Sequence, residues 1–221
     1  MPEPTSGAPW RRALLWFLLL VVLVVVALVY WLQPPTAPSA AGTSAPAAEV
    51  LPVYGEVPDF ELTNRDGSTV RRADLEGAPW IADFVFTRCQ VTCPMLTTHL
   101  ARMQNALDSA SASRLVSFTV DPDYDTPAVL QEYAARFHAG ERWLFLTGER
   151  SAVYSLIRKG FQLGVQPGEG TPEEPISHST RFVLVDGQAQ VRGYYESGDP
   201  AARARLLQDL ARLEQAGAGA Q

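Results

Sequence analysis

Only two cysteines, Cys89 and Cys93, occur in the 221 residues of this chain, with three histidines, His99, His138 and His178, and one lysine, Lys159. Thiol chemistry is therefore confined to one place in the sequence, and each histidine can be weighed on its own. A single lysine and a net charge of −6 leave no basic patch, which excludes a nucleic-acid binder that works by charge. A hydrophobic content of 47% excludes a disordered chain. The long apolar run near the start has no cysteine at its end, so a lipid-modified start is excluded. It also lacks Gly-x-x-x-Gly, the pattern that lets membrane helices pair closely.

That apolar run covers residues 13–32 without interruption, and about 20 such residues are what a helix needs to cross a bilayer. Arg11 and Arg12 precede it, no basic residue follows before Arg65, and Trp10, Tyr30 and Trp31 mark its ends like an interfacial belt. The pattern predicts a single-pass anchor at 13–32, a cytoplasmic tip at 1–12 and everything downstream on the outer side. A cleaved signal peptide is the competing reading, but its apolar core is shorter, roughly 7 to 15 residues. Residues 33–50, rich in Pro, Ala, Ser and Thr, read as a tether without a core. The folded domain is expected at 51–216, followed by a disordered tail at 217–221. Its acidic balance argues against docking on anionic lipid.

Within the domain the pattern alternates. Residues 60–63 and 69–71 flank Asp66-Gly67 as a hairpin, and 80–86 is a nearly continuous apolar run of the kind a doubly covered strand shows. Met95, Leu96, Leu100, Met103 and Leu107 then recur at helical spacing. A second buried strand is predicted at 114–120. Thr126-Pro127 opens a helix to about 138, a capping hydroxyl followed by a proline at the first helical position. A strand at 143–146, a helix at 149–159, a Gly/Pro/Glu-rich loop at 164–175, a hairpin of 181–185 with 190–195, and a closing helix at 199–215 complete the order. Alternation of this kind is α/β. With cysteines directly after the first core strand it is the thioredoxin-like order.

Cys89 and Cys93 stand four residues apart at that strand-to-helix junction. If the chain turns helical there, both sulfurs fall on one face, a single turn apart. Two such thiols can close a disulfide or clamp a soft metal ion such as Cu(I). A helix start, with its unpaired N–H groups, favours the thiolate that both chemistries need. The plainer reading is a pair of buried cysteines that pack as small hydrophobes; the junction and the adjacent Arg88 weigh against it.

Among the histidines, His99 lies six residues past Cys93 and points away from the sulfurs, as a packing residue. His138 ends a helix and is expected to meet that helix's last carbonyls. His178 follows the long loop and precedes a buried strand, where distant residues of an α/β fold converge. Joined to two thiolates it completes a set of two sulfurs and one nitrogen, which suits copper. The segment Asp121-Pro122-Asp123-Tyr124-Asp125, with Glu132, imitates a calcium loop but places Thr126 and Pro127 where the turn needs glycine. It reads instead as a strand-ending loop with helix-capping acids, or as an acidic rim or partner contact beside the thiols.

Three stretches together carry a family resemblance: Phe86-Thr87-Arg88-Cys89-Gln90-Val91-Thr92-Cys93-Pro94, then Val120-Asp121-Pro122-Asp123-Tyr124-Asp125-Thr126-Pro127, then His178-Ser179-Thr180 before Phe182-Val183-Leu184-Val185-Asp186. With Val57-Pro58-Asp59-Phe60 as entry, residues 55–213 resemble the Sco/SenC family of membrane-anchored, thioredoxin-like proteins. The resemblance implies a metallochaperone whose Cys89, Cys93 and His178 bind copper, as Cu(I) or Cu(II). Its implied client is the cytochrome c oxidase subunit that carries the dinuclear copper (CuA) centre. It further implies an upstream periplasmic copper donor, a thioredoxin-type thiol reductant, and an inner-membrane location with the domain on the periplasmic side. Ser177 stands where many relatives carry an acid. Two other readings stay open: a dedicated thiol-disulfide reductase for the oxidase cysteines, weakened by the absence of Cys-x-x-Cys, and an envelope redox sensor. A peroxiredoxin-type peroxidase is disfavoured, because Phe86 stands where that pattern needs threonine.

Overall fold

The computed structural model describes residues 9–32, 50–107, 111–168 and 176–218; the expected tether, most of the tip and the end of the tail lie outside them. The chain divides into two units, Met1–Ala48 and Glu49–Gln221. In the first, α1 (Pro9–Leu32) is one helix of 24 residues at the position expected of the span. Judged on the described residues, which in this helix leave out the side chains at 9, 11–13, 15 and 30, no helix is long and apolar enough to cross a membrane.

The second unit is built on eight strands: β1 (Gly55–Glu56), β2 (Glu61–Asn64), β3 (Thr69–Arg71), β4 (Trp80–Val85), β5 (Arg114–Thr119), β6 (Trp143–Thr147), β9 (Arg181–Val185) and β10 (Gln190–Glu196). Their order across the sheet is β1-β10-β9-β4-β5-β6-β2-β3. β4, β5 and β6 are parallel, and β9 joins β4 antiparallel. Parallel neighbours need crossovers, which α2 (Thr92–Ala106) and α3 (Pro127–Arg136) supply. Every residue of β4 is buried, as its continuous apolar run requires of a strand covered on both faces. On one face Phe84 stacks on Phe118 at 5.9 Å, and Phe161 meets both rings at 5.1 and 5.3 Å. On the other, Asp83, Ser117 and Phe145 lie side by side, and Tyr133 of α3 approaches Phe145 at 6.3 Å. Thr97 of α2 bonds that tyrosine at 2.7 Å, so both crossover helices cover this face.

The Asp66-Gly67 hairpin forms with Gly67 at φ 84, where only glycine is unstrained. α4 (Arg150–Ser155) runs on into a π turn, Leu156–Gly160. α5 (Pro200–Ala218) lies along β10, with Tyr195 donating to Asp209 at 2.7 Å. Two details depart from the sequence reading. The α3 end is capped by backbone, His138 at φ 54 donating its N–H to Ala135 at 3.1 Å, rather than by the imidazole. The expected 164–175 loop contains β7 (Val165–Pro167), which pairs with β8 (Ile176–His178); residues 169–175 lie outside the described set.

Candidate metal centre

Cys89 lies in the turn between β4 and α2, and Cys93 is the second residue of that helix. The turn brings them together although Cys89 itself is not helical: the Cys93 N–H donates to Cys89 Sγ at 3.1 Å. Both residues are buried and no disulfide joins them. Ahead of them, the Cys89 N–H reaches the Phe86 carbonyl at 3.3 Å and closes a tight turn.

β8 carries His178 to the same place from 85 residues away, with Nε2 at 3.6 Å from Cys93 Sγ. Its other nitrogen, Nδ1, lies 3.0 Å from the Ser179 carbonyl oxygen. A carbonyl only accepts, so Nδ1 carries a proton, and in the neutral imidazole Nε2 then turns its lone pair toward the sulfur. The Phe86 ring stands edge-on to the imidazole at 5.6 Å and 84°, which fixes the ring plane. This is the arrangement in which a neutral imidazole ligates a metal.

The Cys93 thiol is pushed well above the ordinary thiol range, first by its hydrogen bond to Cys89 and then by burial. The helix start therefore does not by itself produce a thiolate at Cys93, because coupling to the neighbouring thiol and loss of water outweigh it. A soft cation arriving between the sulfurs would displace the proton they hold. Among the described residues no three of His, Cys, Asp and Glu form a ready-made metal cluster; the two sulfurs and the imidazole are neighbours in pairs. His99 and His138 are not at this site. His99 is partly buried beside Arg203 and Arg102, which with burial hold it below the ordinary imidazole range.

The acidic segment lies beside the thiol loop, but two of its carboxylates point inward. Asp125 is fully buried and Asp121 nearly so, and only Asp123 reaches solvent, where it pairs with Arg150. Asp121 pairs with Arg88, whose guanidinium lies 4.5 Å above the Tyr124 ring. Burial pushes the Asp125 carboxyl above its ordinary range, against the pull of donors from Thr119 and Thr87. Calcium has no loop here, and the acidic rim of the sequence reading is largely internal.

Two features were missed by sequence reasoning. Asp83, inside the run read as apolar, is fully buried with one carboxyl oxygen bonded to Ser117 at 2.5 Å and the other without a partner. Burial raises its pKa to about 7. Around the mouth of the site Val91, Met95 and Tyr124 are 66, 49 and 47% exposed, and among the described residues beyond Tyr54 they are the only large apolar side chains so exposed. Unexpectedly apolar surface next to a chemical site was readable only as a hint, from Val91 and Met95 flanking Cys93.

The SCO1/SenC family profile matches residues 52–215. A SCO1 protein homolog of Bacillus subtilis (strain 168) is 33% identical over 162 residues, covering 72% of this chain and 83% of the relative. Among solved structures, BsSco, in which a disulfide switch was identified and which is described as a member of the Sco family of cytochrome c oxidase assembly proteins, matches with a TM-score of 0.65 at 32% identity, covering 72% of this chain and 94% of that one. Yeast Sco1 with copper bound matches with a TM-score of 0.59 at 25% identity, covering 71% and 89%.

Proposed function

Because the chain belongs to the SCO1/SenC family, we propose that it is a copper-binding protein of cytochrome c oxidase assembly, delivering copper to the dinuclear CuA centre. The observation that carries the reading is the convergence of Cys89, Cys93 and an Nδ1-protonated His178 whose Nε2 faces Cys93 Sγ at 3.6 Å. Two soft sulfurs and one imidazole hold Cu(I) and leave a side open to an incoming ligand, so the ion can leave by exchange. The exposed Val91, Met95 and Tyr124 offer a partner protein somewhere apolar to seat beside that open side. Copper loading requires the reduced pair, which couples binding to thiol redox state and calls for a thiol reductant. The run at 13–32 anchors the domain to the inner membrane, on the periplasmic face.

The test is copper stoichiometry on the reduced full-length chain in detergent, loaded without oxygen. One copper per chain is expected, with affinity lost in Cys89→Ser and lowered more than about 100-fold in His178→Ala, beyond what removal of a partner to a ligand costs. Retention in His178→Ala with loss in Cys89→Ser would leave a dithiol site and shift the reading to a thiol-disulfide reductase. Equal loading of the oxidised protein would remove the redox coupling.

A further inference from the structure

The turn that presents Cys89 has little regular structure of its own, yet the bonds from its Thr87 and Arg88 land on one short segment. Thr87 donates to the Asp125 carboxylate through its hydroxyl at 2.5 Å and through its backbone N–H at 3.2 and 3.4 Å. Arg88 donates to Asp121 through Nε at 3.0 Å and pairs with the same oxygen through a second nitrogen. Segment 121–125 is itself closed by bonds from the Tyr124 and Asp125 N–H groups to the Asp121 carbonyl, at 3.0 and 2.9 Å. It is bolted to the sheet by Thr119, the last residue of β5, whose hydroxyl donates to Asp125 at 2.5 Å and accepts from the Asp121 N–H at 3.0 Å. β5 is the parallel neighbour of β4, with Thr119 opposite Val85. One buried carboxylate thus bridges the end of the central sheet and the residue two places before Cys89.

We propose that Asp125 is a positioning residue of the thiol site, acting through Thr87 to hold Cys89 at the separation from Cys93 that both a shared metal ion and a disulfide need. A carboxylate with no exposure takes all its donors from the two elements it joins, so its strength is spent on their relative position. A loose turn would let Cys89 sample positions away from Cys93 and lower the effective concentration of one sulfur at the other. The proposal deepens the copper reading but is tested partly without copper.

Asp125 itself is a poor probe, since its loss leaves three donors, two of Thr87 and one of Thr119, without their acceptor at once. Thr87→Val and Thr119→Val each remove one hydroxyl from the same carboxylate and keep side-chain shape, and because the Thr119 hydroxyl also accepts from the Asp121 N–H, Thr119→Val lowers thermal stability at least as much as Thr87→Val. Thr87→Val loosens the cysteine turn directly, whereas in Thr119→Val both Thr87 donors still reach Asp125 and segment 121–125 keeps its own backbone bonds. The first readout is the equilibrium with glutathione, in which two protein thiols and one glutathione disulfide give the Cys89–Cys93 disulfide and two glutathione thiols. Its constant is expected to fall about tenfold in Thr87→Val, equivalent to about 30 mV, to stay within about twofold in Thr119→Val, and to recover in Thr87→Ser. The second is copper affinity, expected to fall in the same order. Equal effects of the two valine substitutions on the glutathione equilibrium, or none in Thr87→Val, would overturn the proposal. A fall confined to Thr87→Val in a protein that takes up no copper in any form would keep the positioning role and defeat the copper reading instead.

Discussion

His178 Nε2 lies 3.6 Å from Cys93 Sγ across 85 residues of sequence, and the bond that turns it there is made by its neighbour's carbonyl. A histidine oriented by backbone does not depend on a side chain for its tautomer. The Nδ1-protonated form is therefore expected in the metal-free protein despite Ser177. Nitrogen-15 NMR of the histidines should show one ring with a pyridine-like Nε2 and a protonated Nδ1; the opposite assignment would remove the ligand geometry argued above.

Asp83 makes stability fall as pH rises. Its carboxyl ionises near the ordinary 3.8 when unfolded and at about 7 in the fold. Below the lower value both states are protonated and the residue costs nothing. Between the two the unfolded chain loses its proton while the fold keeps it, and above 7 the deficit is complete, on the order of 4 kcal/mol. Asp83→Asn is expected to match the parent in urea unfolding at pH 3 and to exceed it at pH 8. Parallel pH profiles for the two proteins would rule Asp83 out as the cause.

Arg192 and Asp186 form a pair with side chains only 11 and 8% exposed, 2.7 Å apart, and Asp186 also accepts the Gln188 and Gln190 N–H groups. Removing Arg192 leaves the Asp186 carboxylate buried without its counter-charge, so Arg192→Met is expected to cost about 3 kcal/mol or more. The Arg71–Glu61 pair, 59 and 64% exposed, serves as the control: Arg71→Met should cost less than about 1 kcal/mol. Chemical denaturation of both variants decides it, and similar losses would contradict the burial argument.

Val91, Met95 and Tyr124 are too exposed to hold the fold together. Replacing all three with serine is expected to leave copper stoichiometry unchanged while slowing transfer to an acceptor protein by roughly tenfold or more, as loss of central contacts does at other interfaces. Stopped-flow transfer kinetics beside a copper titration would separate the two effects. Unaltered transfer would mean the acceptor approaches from elsewhere.

Much of this was legible in the sequence, and what was not has a common cause. The strand run before Cys89, the helical spacing after Cys93 and the Thr126-Pro127 start are local patterns, and each element formed within a residue or two of its expected bounds. The nearness of His178 to the thiols needed a family resemblance, since β8 is three residues long and carries no periodicity. Asp83 was passed over inside a run read as apolar, and Asp125 was read as a helix-capping or rim acid, because a carboxylate's partners show only in the fold. Those partners, Ser117 for one and Thr87 for the other, lie 34 and 38 residues away in sequence and become neighbours only through the parallel sheet. The direction in which the Cys93 thiol shifts was likewise a matter of its hydrogen bond to Cys89 and then of burial, rather than of helix position.

The sheet ends in strands of two residues on one side and three on the other, the latter carrying Arg71 and followed directly by Arg72. So short and charged a border gives a second copy almost no ladder to extend. That brevity guards the domain against fibrous self-association.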